Sequence, residues 1–167
     1  NHEDMLVSAM IEYHNCSDDY PNDHWDDYDR RLLFANGGEK TFREWRRFEK
    51  ANMEWADKLN RLPVTAEYTN VEGITFKMSH AGYTPRLNNT PLEHNLIWDR
   101  HHFNRPWPED KEFERVIVLH GHTPIPCLWD DLDIPEEDQE PGALWYADGH
   151  KLAIDTGAVW TGHCVLV

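Results

Sequence analysis

Arg115 to Pro124, RVIVLHGHTP, is the stretch on which the fold turns. Val116 to Leu119 form a continuous apolar run with no polar position to face solvent. Such a run reads as a strand buried on both faces of its sheet. The run ends on His120-Gly121-His122, and a Gly beside a functional residue permits a tight turn and close approach of a ligand. Upstream, the strand-like segment Ile74 to Met78 ends in the same manner, on Ser79-His80-Ala81-Gly82. His80 and His122 therefore each stand just past a predicted strand, with Gly121 directly before His122 and Gly82 two residues after His80. In layered α/β folds ligands gather in crevices at strand ends, so two such histidines on adjacent strands can share one centre. Either one alone is more often a hydrogen-bonded surface residue than a ligand.

Working outward, Val64 to Tyr68 reads as a strand joined to Ile74–Met78 by the turn Asn70-Val71-Glu72-Gly73. Thr41-Phe42-Arg43-Glu44 matches a capping box. Behind it Phe42, Trp45, Phe48, Ala51, Trp55, Leu59 and Leu62 step by three or four residues until Pro63, predicting one helix of about six turns. Near the start, Met5, Leu6, Ala9, Met10 and Tyr13 predict a helix from about Glu3 to Asn15. Cys16 to Asp29 is rich in Asp, Asn and Pro and reads as a loop. Tyr83 to Pro108 is irregular around the short apolar piece NLIWDR. A second acidic loop, DDLDIPEEDQEPG, follows the central strand, and KLAIDTGAV and HCVLV read as two closing strands with DTG as the turn between them. Helices come early and strands late, which predicts a layered α/β fold in a single domain spanning 1–167.

The chain has 167 residues, 40% of them hydrophobic, with eight Trp. That is the composition of a folded globular domain and not of a disordered chain. Its 31 acids against 16 bases leave a formal charge of −15. Such a surface repels nucleic acid unless a basic face is set apart, and the densest basic stretch, Arg43, Arg46, Arg47 and Lys50, is interleaved with Glu44 and Glu49. Nucleic acid is therefore not an expected partner. Nor is a membrane, because no apolar run reaches 18 residues. Cys16, Cys127 and Cys164 are sparse and odd in number, which argues against a disulfide framework or thiolate zinc site and favours a reducing, cytoplasmic setting.

Asn1-His2-Glu3, His80-Ala81-Gly82, Trp98 with Arg100, and Gly121-His122-Thr123 occur in this order along the chain. Together they resemble the downstream half of the calcineurin-like metallophosphoesterases, closest to the compact bacterial form of the serine/threonine phosphoprotein phosphatases. There G-N-H-E is followed by H-A-G, W-x-R and G-H-T. The neighbouring ANGGEKTF, Leu62-Pro63 and AIDTGAV resemble the same branch. The resemblance implies a layered metallophosphatase-type β-sandwich flanked by helices. The family's upstream blocks, G-D-x-H-G and G-D-x-x-D-R-G, do not occur here. The expectation is that the chain is the downstream portion of a longer domain.

The resemblance also implies the chemistry. Two divalent ions, manganese before iron or zinc, would clamp a phosphoryl group and activate water for in-line attack. Asn1, His80 and His122 would hold one ion with a bridging Asp from the upstream block. His2 would be the general acid, and Arg100 the phosphate fork. The alternative for Arg100 is a surface arginine paired with Asp99; that for His2 is an exposed terminal residue. The expected substrate is a phosphorylated protein or small phosphomonoester, with the chain weak or inactive by itself. A non-catalytic scaffold of the same fold and a dinucleoside polyphosphate or nucleotide hydrolase are the alternatives. His120 reads as a structural strand-end residue and Asp155 as a turn residue bonding backbone amides. His14, His24, His94, His101, His102, His150 and His163 read as surface or packing histidines.

Overall fold

A computed structural model describes residues 2–15, 28–83, 85, 96–140 and 142–166. Asn1, and all but the last two residues of the expected loop from Cys16 to Asp29, lie outside the described residues. The chain forms two compact units, Asn1–Leu62 and Pro63–Val167.

The first unit is helical: α1 His2–Asn15, α2 Tyr28–Ala35, α3 Glu39–Trp45 and α4 Glu49–Asn60. α1 packs against both α2 and α4. Two partners widen its buried face, so that Val7 joins Met5, Ala9 and Met10 in the core. Tyr13 meets the rings of Phe42 and Trp45 edge-on, at centroid distances of 6.0 and 5.6 Å. The single long helix expected from Thr41 is not formed. α3 opens at Glu39 with Gly38 at its N-cap and no side-chain cap, leaving Thr41 inside the helix. A 3₁₀ turn, Arg46–Phe48, then separates α3 from α4. Steps of three residues suit a 3₁₀ turn, and the turn shifts the helical register beyond it. Ala56 is buried there, while Trp55 and Leu62 are each 58% exposed. The Lys58 ammonium lies 4.9 Å over the exposed Trp55 ring.

The second unit carries a five-stranded mixed sheet in the order β1-β2-β3-β5-β4. Its strands are β1 Thr65–Thr69, β2 Thr75–Ser79, β3 Val116–His120, β4 Leu144–Tyr146 and β5 Lys151–Ala153. β1 and β2 form an antiparallel hairpin. β2, β3 and β5 run parallel, and β4 returns antiparallel along β5. RVIVLHGHTP thus supplies the central strand, with Val116, Val118 and His120 buried and Ile117 and Leu119 half-buried. After it, α5, Ile125–Asp131, packs Ile125 and Leu128 against Phe103 and Ala153, with Trp129, Leu132, Leu144 and Tyr146 around them. The fold class is therefore mixed α/β, a five-stranded sheet with helices.

Two strand assignments change. β4, only three residues long, is too short to carry a readable alternation. HCVLV forms no strand over 163–166. Gly157 and Gly162, at φ +66° and +71°, bracket a single helical turn, α6 Ala158–Thr161. The Thr156 hydroxyl donates to the His163 carbonyl, and that of Thr161 donates to the Thr156 carbonyl. The segment closes on itself and is not offered to the sheet. One sheet is formed among the described residues. No helix among them is long and apolar enough to cross a membrane.

Candidate functional site

Because β2 and β3 are parallel, with Met78 beside Leu119, the chain leaves both strands at the same edge of the sheet. The Gly121 N–H donates to the His80 carbonyl at 2.9 Å, extending the pairing by one bond. Beyond it the Thr123 N–H donates to the Gly121 carbonyl at 2.7 Å around His122, whose φ is +64°. A two-residue hydrogen bond around a positive-φ centre is the γ-turn that is rare and strained, and it is occupied here by a residue with a Cβ. The turn brings His122 Nδ1 to 3.1 Å from His80 Nε2. His80 is exposed, whereas His122 is 8% exposed. Its Nε2 is buried and meets no partner among the described residues. The Trp98 ring closes one side, edge-on at 6.3 Å.

Burial lowers the pKa of His122 to about 4, helped by the positive charge of Arg100 and by His80, while Asp155 pulls the other way. The ring is therefore neutral near pH 7, the form that can donate a lone pair to a metal. Two imidazole nitrogens about 2.1 Å from a shared ion and 3.1 Å from each other subtend roughly 95°, close to an octahedral cis pair. The pair fits two positions on one divalent ion. It does not complete a site: among the described residues no group of three or more His, Cys, Asp or Glu gathers to hold a metal.

Of the five expected site residues, the structure brings together His80 and His122, with the charge of Arg100 felt at His122. Arg100 lies exposed in a bend after the helical turn 96–98. It is not paired with Asp99, because Asp99 bonds Arg105 at 2.8 Å and caps the His101 N–H with its other oxygen. His2 is exposed at the first position of α1, in the first unit. Asn1 lies outside the described residues. Asp155 behaves as a turn residue, accepting the Gly157 N–H at 3.0 Å.

Beside the pair lies a buried polar cluster, in which the sequence had marked His102 as a surface or packing histidine and His120 as a strand-end residue, and had not marked Tyr146 or Lys151. His102 and His120 are each 1% exposed and Lys151 is 0% exposed. The Tyr146 hydroxyl stands 2.6 Å from His120 Nε2 and 3.2 Å from His102 Nε2. Lys151 donates to the carbonyls of His102 and Arg105 at 2.5 and 3.0 Å. Burial lowers His102 to about 2, His120 to about 4 and Lys151 to about 8. The one sequence signal was Lys151 itself, a cation heading an apolar strand. No family model matches the chain, and no curated protein matches it either.

Proposed function

We propose that this chain is the downstream part of a metal-dependent phosphoesterase of the calcineurin-like class, acting on a phosphoprotein or small phosphomonoester in a cytoplasmic setting. The observation that carries the reading is the His80–His122 pair: two imidazole nitrogens 3.1 Å apart, held at the exit of adjacent parallel strands by a strained turn. Strain of this kind persists where the surroundings impose it, which is characteristic of ligand sites. His80 and His122 would hold one divalent ion together with Asn1, and the other donors and second sheet of the sandwich would come from the G-D-x-H-G and G-D-x-x-D-R-G blocks. When bound, the ions polarise the phosphoryl oxygens and supply hydroxide at neutral pH. Arg100, exposed and free of Asp99, offers a planar fork to two phosphate oxygens. His2 would donate the proton to the leaving oxygen. Trp98 shields His122 from water on one side.

The test is Mn²⁺ binding by calorimetry together with aryl phosphate turnover, on the chain and on His122→Ala. Loss of one of two imidazoles is expected to weaken ion binding at least about 10-fold. Equal affinity in both proteins would refute the metal site. A scaffold reading is favoured by one observation, the two-donor count among the described residues. Measurable Mn²⁺ uptake without any turnover, in a chain that also carries the upstream blocks, would select it.

A further inference from the structure

The buried cluster beside the histidine pair contains a directed chain of hydrogen bonds, and its direction can be read from its far end. A carbonyl only accepts, so the His120 Nδ1 that lies 3.2 Å from the Gly121 oxygen carries a proton. His120 is 1% exposed, and an imidazole so buried without a bonded carboxylate is neutral, leaving its Nε2 as an acceptor. The Tyr146 hydroxyl, 2.6 Å away, must donate to it. His102 Nε2 lies 3.2 Å from the same hydroxyl oxygen. The proton order runs from Tyr146 through His120 to the carbonyl of Gly121. That same carbonyl accepts the Thr123 N–H and so closes the strained turn around His122.

We propose that Tyr146 is a positioning residue: through His120 it holds the Gly121 carbonyl and hence the left-handed turn that aims His122 at His80. The inference rests on the phosphoesterase reading only for its consequence at a bound ion, since the hydrogen-bond chain is internal to the second unit. A carbonyl gripped by two donors cannot rotate its peptide plane without losing both, and φ of His122 depends on that plane. The hydroxyl of a half-buried Tyr on β4 thus reaches the site without touching it.

The experiment compares the wild-type chain with Tyr146→Phe, which keeps the ring and removes the hydroxyl, and with Leu132→Ala, which thins the same core outside the chain of bonds. Long-range ¹H–¹⁵N NMR of the imidazoles, recorded without metal, is expected to show His120 as the Nδ1–H tautomer and His122 as a single tautomer in wild type. In Tyr146→Phe the His122 signals should move to an exchange average, and Zn²⁺ affinity by calorimetry should fall about 10-fold. Leu132→Ala should change neither. Unchanged His122 signals in Tyr146→Phe, or equal changes in Leu132→Ala, would overturn the proposal. A wild type that takes up no Zn²⁺ would count against the phosphoesterase reading instead, with the NMR comparison still deciding this one.

Discussion

Gly82 follows the H-A-G histidine at φ +119° and runs close to the His102 ring: a Cβ built there would sit 2.4 Å from Nε2. The residue is required twice, once by its backbone angle and once by the ring beside it. Gly82→Ala is expected to cost about 2–4 kcal/mol, from backbone strain and overpacking together. Urea unfolding measures it, and a loss under about 1 kcal/mol would mean that the ring swings aside freely. At this scale the chain was partly legible. Gly near His marked His80 and His122, because flexible backbone close to a donor has few uses. His102 left no mark, since a residue two positions from Arg100 in an irregular stretch carries no period from which burial can be inferred.

Among the elements, the β1–β2 hairpin was the most readable. Asn70 accepts the N–H groups of Glu72 and Ile74 with its side chain at 3.0 and 2.9 Å, and Gly73 takes φ +76°. Local hydrogen bonding of this type belongs to the sequence itself. Asn70→Ala should lower stability by about 1–2 kcal/mol without altering the His80–His122 contact; thermal melting and imidazole NMR check the two halves. The helix from Thr41 to Leu62 and the strand HCVLV were misread for one reason. Periodicity reports which residues are apolar, and neither a 3₁₀ break nor a self-closing loop changes that pattern.

Taken over the whole molecule, stability should depend on pH through the buried histidines. His102 falls from an ordinary 6.5 to about 2 on folding, chiefly by burial, with His120, Lys151 and Arg105 adding to it. Below pH 6.5 the unfolded chain takes up a proton that the folded chain refuses. The stabilisation is therefore complete above that pH and lost progressively as pH falls toward about 2. For this group the slope is about 0.7 kcal/mol per pH unit at pH 6.5 and rises to about 1.3 by pH 5. Urea midpoints across that window should fall in wild type and fall less steeply in His102→Phe; parallel curves would show that His102 does not govern the change. By itself, the amino-acid order determined the central buried strand, the hairpin and the two histidines near Gly, because each is written in adjacent residues. Only the tertiary structure decided that β2 and β3 run side by side, that His122 is folded over a strained turn toward His80, and that Tyr146 bridges two buried imidazoles. Those facts join residues 26 to 44 positions apart, and pairing at that distance is set by how strands align in a sheet, which no local pattern encodes.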